Sequence, residues 1–333
     1  MRTGVVLQGV DTPAEFSARV ERIEELGYDD LWLTDSSLHA RNCYSYLTLA
    51  AVHSSRLRLG TAVTNPLTRH PGITAAAAAT VQEISEGRFV LGLGAGDRPL
   101  EALGLRPAKL AVLDSTIEDV RALLRGSTVQ RDGGAYRFDD AHLRFGDPVE
   151  VPIFISASGP RTLELAGRIA DGVILLAGLF SDGVRWAMDH LARGAASVGR
   201  PVPPVHVFAY GAIDDDTERA LAAARSIAAW FPQTAPHYCE LAGLDPDIAE
   251  QVRARYRGGE FQEAAAAAEL LPAEFVHRMA LAGDEAAALE HLRTLSSLGV
   301  AGVDVFPLGD RRAGTIESFA AAAAALRSAG GDD

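Results

Sequence analysis

A chain of 333 residues with 48% hydrophobic side chains has ample material for one large core or two small ones. Its formal net charge of -13 excludes a nucleic-acid groove and an anionic membrane surface, since both would repel it. The two cysteines, Cys43 and Cys239, lie far apart without C-x-x-C spacing, which indicates neither a disulfide framework nor a zinc site.

No stretch reaches 18 consecutive apolar residues, and the opening MRTGVVLQGVDTP has too short an apolar run for a signal peptide, so the expectation is a cytoplasmic protein. Residues 3–9 form a short β-branched run. Thr12, Pro13 and Glu15 then spell an N-cap, an N1 proline and the acid of a capping box, and the helix they start ends at Gly27. A strand with a polar end follows at 30–35, a helix over about 44–53, a strand at 57–63 broken by Thr64-Asn65-Pro66, a helix from about 71 to 87 and a strand at 88–93. This rhythm of strand and helix, about 30 residues per unit, is that of right-handed parallel crossovers.

Beyond it come a helical piece at 99–104 and a helix over about 113–125. Residues 127–147, with Asp132-Gly133-Gly134 in the middle, predict a hairpin insertion. The rhythm resumes with strands at 151–156, 172–176 and 205–213, and with helices opening at Gly159-Pro160, at 181 and, behind the cap Asp214-Asp215-Asp216-Thr217, at 217. Residues 233–280 break the period and predict a helical insertion over one mouth. A helix at 284–298, a strand at 302–306 and a helix at 316–328 complete eight strands alternating with helices in a single domain, 1–333. That count favours a (β/α)8 TIM barrel over an open six- or seven-stranded sheet.

In a barrel the strand tips share one mouth, and four tips here carry chemistry. FVLGLGAGD (89–97) fails the dinucleotide fingerprint, because the sixth position from Gly92 is Asp97 and from Gly94 is Pro99. Its alternating glycines instead allow a ligand to approach the backbone closely. Asp35 reads either as a turn acid or as a ligand contact, and Thr64-Asn65-Pro66 either as a turn or as a site. At Ala157-Ser158-Gly159-Pro160-Arg161 a helix begins among small residues, either simply capped or as a seat for one phosphate. Nine histidines show no metal-ligand spacing, and only His39 and His70 stand in loops placed to meet a ligand. No G-x-S-x-G elbow occurs. A glycine wall, one phosphate seat and few catalytic side chains suit redox chemistry carried by a cofactor, with Asp35 and Asp97 as the available acids.

Taken together, LWLTD ending at Asp35, LGTAVTNPLTRHPGITA (59–75), EISEGRFVLGLGAGD (83–97), ISASGPRTLELAGRIADGVIL (155–175) and GVAGVDVFPLG near the end resemble the bacterial luciferase-like superfamily, and within it the F420-dependent methylenetetrahydromethanopterin reductase branch. The resemblance implies a luciferase-like TIM barrel, a homodimer, and coenzyme F420 as cofactor, with FMN as the alternative. It implies that Asp35, Ala62, Val63, Thr64, Asn65, Gly94, Ala95, Gly96 and Asp97 line the ring and that Ser158, Gly159 and Pro160 meet the phosphate; of these Asp97 is the expected catalytic residue, as a polar partner for the reacting centre. It also implies a non-prolyl cis peptide at Ala62–Val63. Reductases of that branch carry a glutamate in the first strand where this chain has Val6, so the cofactor class carries over and the pterin substrate does not. The expected function is hydride transfer between F420 and a small organic substrate. An FMN-dependent monooxygenase and a non-catalytic flavin-binding barrel are the alternatives.

Overall fold

The computed structural model describes residues 1–257 and 264–329. Eight parallel strands close on one another: β1 (Arg2–Leu7), β2 (Asp30–Leu33), β3 (Arg58–Thr61), β4 (Phe89–Leu93), then, past a separate antiparallel hairpin of β5 (Val129–Arg131) and β6 (Phe138–Ala141), β7 (Ile153–Ala157), β8 (Gly172–Leu175), β9 (Val205–Ile213) and, beyond the short β10 (Leu281–Gly283), β11 (Gly302–Pro307). Closure comes from β9, which pairs with β8 on one side and with β11 on the other, while β11 pairs with β1. The eight barrel strands are those that the sequence rhythm predicts.

The strand β10 has no counterpart among the predicted elements. At nine residues β9 outruns the barrel, and its last three residues, Gly211 to Ile213, pair in parallel with Leu281 to Gly283. Three residues give no readable period, so only the overhang of β9 reveals them.

The helices connecting the strands are α1 (Pro13–Glu25), α2 (Cys43–Val52), α3 (Pro71–Ile84), the single turn α4 (Arg98–Glu101), α5 (Leu110–Leu124), α6 (Pro160–Ile169), α7 (Ser181–Ala196) and α8 (Thr217–Ala228). The expected capping box is formed, with the Thr12 backbone N–H donating to Glu15 at 2.9 Å and the Glu15 N–H to the Thr12 hydroxyl at 3.4 Å. After α8 come the short helices α9 (Phe231–Thr234), α10 (Pro236–Leu241), α11 (Pro246–Arg255), α12 (Ala265–Ala268) and α13 (Ala273–Met279). They fall within the predicted helical insertion, of which residues 258–263 lie outside the described residues. Then α14 (Glu285–Ser297) and α15 (Arg312–Ala329) flank β11. No described helix is long and apolar enough to cross a membrane.

Strand alternation sorts the side chains into two cores. Val5, Leu7, Leu31 and Leu33 point out to the helices and join the main core, whereas Val6, Trp32, Val90, Phe154, Ile174 and Phe208 point inward and fill the middle of the barrel. Below this layer lies a buried ionic one. Asp30 accepts from both Arg2 (3.0 and 2.6 Å) and Arg58 (2.7 and 2.9 Å), and His206 contacts Arg58 at 3.1 Å and Asp304 at 2.9 Å. The barrel is thus plugged at its N-terminal end, and ligands are left the other end.

Candidate active site

The C-terminal ends of β2, β3, β4 and β7 stand side by side and bring together the residues singled out in the sequence. After β3 the chain makes a cis peptide at Ala62–Val63. Thr64 then bridges to β4, its N–H donating to Gly92 O and its carbonyl accepting from Gly94 N–H, both at 2.9 Å. Two glycines are needed for this approach. A Cβ on Gly92 would overlap the Thr61 carbonyl, and one on Gly94 would come within 2.7 Å of Val63 Cγ2 and 3.4 Å of Ser156 Cβ. Val63, Gly94 and Ser156 therefore make a continuous wall of small groups. Ala95 and Gly96 carry the chain on, Gly96 at φ +82°, a conformation open to glycine, with Leu100 packed beneath it. Asp97 stands exposed at the start of α4, its carbonyl accepting from Leu100 N–H at 2.9 Å.

Asp35 is almost fully buried beside this wall. The Thr64 hydroxyl donates to it at 2.7 Å and Arg69 grips both of its oxygens, one of them at 3.0 Å. Burial works against the Arg69 cation, but the bond to Asp35 outweighs it and holds the guanidinium more firmly protonated than usual. The guanidinium also lies 5.2 Å from the centre of the Tyr44 ring. The Cys43 thiol, buried beside Asp35, is pushed far above its ordinary range, so it is no nucleophile. Asn65 turns inward on its own loop, accepting from Leu67 N–H at 3.0 Å and Thr68 N–H at 2.9 Å, and so shapes the rim through the backbone. Past the end of β2, Thr34 Oγ1 is buried and has no hydrogen-bond partner among the described residues.

Ser158, Gly159 and Pro160 sit at the end of β7, next to β4, where α6 begins with no side-chain cap. The Ser158 carbonyl is held from the other side by His237 Nε2 at 3.1 Å and the Tyr238 hydroxyl at 3.0 Å, both on α10. The helical insertion thus fixes the loop while leaving the first-turn N–H groups of α6 unused by side chains, and a Cβ on Gly159 would meet nothing within 4 Å. This open, donor-rich start is suited to a single phosphate.

Three side chains matter here that motif reading does not pick out. Arg69 stands inside the TNPLTRHP stretch, but nothing local names Asp35 as its partner. Tyr210 and Phe306 face the mouth from β9 and β11, visible only once strand alternation is placed in a closed barrel. His70 has a local role, as an ordinary loop histidine would: it caps α3, accepting from Gly72 N–H at 3.1 Å and donating to the Arg137 carbonyl at 2.8 Å, edge-on to Tyr136 and Phe138. It braces the hairpin instead of meeting a ligand. Asp30, His206 and Asp304 are close enough together to suggest a cation site, but Arg2 and Arg58 already occupy both oxygens of Asp30, and a divalent ion there would sit beside two cations.

A barrel with its site at the strand ends, a cis-peptide bulge and a glycine wall defines a class, and comparison with known proteins gives it a name. The family model described as luciferase-like monooxygenase matches residues 1–302. The chain belongs to the luciferase-like monooxygenase family. It is 34% identical over 268 residues to a 5,10-methylenetetrahydromethanopterin reductase of Methanolobus tindarius, covering 78% of this chain and 81% of that protein. It is 33% identical over 233 residues to an F420-dependent glucose-6-phosphate dehydrogenase of Beutenbergia cavernae, covering 64% and 68%. The solved coenzyme F420-dependent tetrahydromethanopterin reductase of Methanopyrus kandleri superimposes with a TM-score of 0.83 at 27% identity, over 96% of this chain and 97% of the other.

Proposed function

We propose that this protein is an F420-dependent oxidoreductase that moves a hydride between the deazaflavin and a small organic substrate. The observation that carries the reading is the wall of Val63, Gly94 and Ser156 behind the Ala62–Val63 cis bond, a flat surface of small groups at a barrel mouth. Relatives support the cofactor more than any substrate: a reductase and a sugar-phosphate dehydrogenase with different substrates are both named as F420-dependent.

The residues present fit such a group. Residues 62–65 and 94–96 would line one face of the ring, with Thr34 Oγ1 and the Asp35–Thr64–Arg69 cluster at its edge and the start of α6, at Ser158, Gly159 and Pro160, taking the phosphate. F420, when bound, supplies the hydride-carrying ring. The protein supplies orientation, a floor of Trp32 and Phe208 that excludes water from below, and Asp97 at the rim to hold or release a proton. Val6 can do neither, so the first strand contributes shape alone.

An FMN-dependent monooxygenase is the second reading, favoured by the description of the family itself, and a barrel that binds the ring without turnover is a third, favoured by Val6. Oxygen uptake separates them. Protein loaded with reduced F420 should consume no oxygen and reoxidise only when an organic acceptor is added. Stoichiometric oxygen consumption with reduced FMN would install the monooxygenase in its place.

The proposal includes a cytoplasmic homodimer with no nucleic-acid or membrane partner. Supporting the dimer, the neighbouring helices α2 and α3 turn outward a face of Ser45, Leu49, Val52, Ile73, Ala77 and Ile84, on which Val52 is 63% and Ile73 62% exposed. Uncharged faces of this kind are commonly covered by a partner.

A further inference from the structure

The substrate side of the mouth is chemically unlike the cofactor side, and the difference names a substrate class. Taking the oxidoreductase reading as given, we infer that the pocket selects an uncharged, flat, predominantly apolar molecule, held against Tyr210 and Phe306 opposite the Val63–Gly94 wall, and discriminates against carboxylates.

The two sides follow from strand alternation. On β2, β3, β4 and β7 the uppermost inward positions are small or hydroxylic: Thr34, Ala62, Gly92 and Ser156. Across the barrel the inward positions at this end of β9, β11 and β1 are Phe208, Tyr210, Phe306 and Val6, of which only the Tyr210 phenol can ionise, His206 and Asp304 belonging to the ionic layer at the other end. Phe208, at 8% exposure, and Val6, at 0%, form the floor. Tyr210 and Phe306 are only partly buried and so present ring surface to the mouth. The three rings form one packed unit, with centroids 4.9 Å apart for Phe208 and Tyr210, 5.0 Å for Tyr210 and Phe306 and 6.1 Å for Phe208 and Phe306. Such a shelf rewards an apolar ring laid on it and offers nothing to a carboxylate, whose desolvation would go uncompensated. Among the described residues, Arg69 lies on the far side and is already bound to Asp35, while Arg19 and Arg312, beside Val6 and Phe306, are engaged by Asp11 and by the Gly309 carbonyl. With the cofactor ring on the small-group wall, a substrate ring laid on the aromatic shelf accounts for both surfaces.

The test uses a pair of probes that differ in charge and share a ring system. Purified protein loaded with F420 is titrated with neutral 2-naphthaldehyde and with anionic 2-naphthoate, following binding by calorimetry, while retention of F420 is measured on the same sample. The aldehyde should bind at least about tenfold more tightly than the carboxylate, and Phe306→Ala and Tyr210→Ala should each weaken it about tenfold without loss of bound F420. Equal or tighter binding of the carboxylate, or unchanged aldehyde binding in both variants, overturns the inference with the cofactor reading intact. Failure to retain F420 at all overturns the functional reading and this inference with it.

Discussion

Gly94 and Val63 meet across the mouth of the barrel so closely that a methyl group on the glycine would lie 2.7 Å from Val63 Cγ2. Because Val63 follows the cis bond, the strand-three bulge and the strand-four glycines form one surface.

Gly94→Val should therefore push Val63 toward the ligand space and weaken F420 binding at least about 100-fold, while the overpacking costs about 1–3 kcal/mol of stability and leaves the fold intact. Gly92→Val places its Cβ on the Thr61 carbonyl and should instead prevent folding. Fluorescence titration of F420 together with circular dichroism distinguishes the two, and unaltered binding in Gly94→Val contradicts the wall.

Asp35→Asn removes the anion that compensates Arg69, whose side chain is 17% exposed while that of Asp35 is 3% exposed. Breaking a largely buried pair from one side should cost about 3 kcal/mol of unfolding free energy. Asp11→Asn, which breaks the more exposed pair with Arg19, should cost under about 1 kcal/mol. Denaturant titration of both variants gives the comparison, and equal small losses would show that the Asp35 cluster does not hold the rim.

Asp97 stands at the mouth, exposed and following the glycine wall. Asp97→Asn should lower kcat about 100-fold, in line with removal of a proton-transfer group, with the Kd for F420 changed less than about twofold. A matching loss of F420 affinity would make Asp97 a binding residue instead.

His237 is held below its ordinary pKa of 6.5 first by burial, and so is His291. Both therefore lose their proton more readily in the fold than in the unfolded chain. Below about pH 6.5 the unfolded chain takes up protons that the folded chain refuses, so stability is complete above that pH and falls as the solution is acidified. His237→Gln should flatten this decline, measured by denaturant unfolding between about pH 7 and pH 5. A steeper decline in the variant would mean that the imidazole is protonated in the fold.

Features written in contiguous residues are the ones legible in the sequence. The capping box at Thr12 and Glu15, the aspartate cap before Thr217 and the eight barrel strands all follow from local pattern. So does the approach of Asp35, Thr64, Gly94 and Ser158, because a closed barrel sends every strand tip to one end. What depends on a distant partner is not legible. The commitment of Asp35 to Arg69, the use of His70 as a brace for the hairpin and the pairing of β10 with the overhang of β9 each require the folded chain. The aromatic shelf of Phe208, Tyr210 and Phe306 is intermediate: each residue is visible as an apolar strand position, but the inward set becomes a surface only when β9 and β11 lie side by side.

Cofactor choice is the center of the account, and parallel titration of the purified protein with F420 and with FMN tests it most directly. Binding of F420 at least about tenfold tighter than FMN, lost in Gly94→Val, is the predicted result. Tight binding of FMN with no retention of F420 would contradict it.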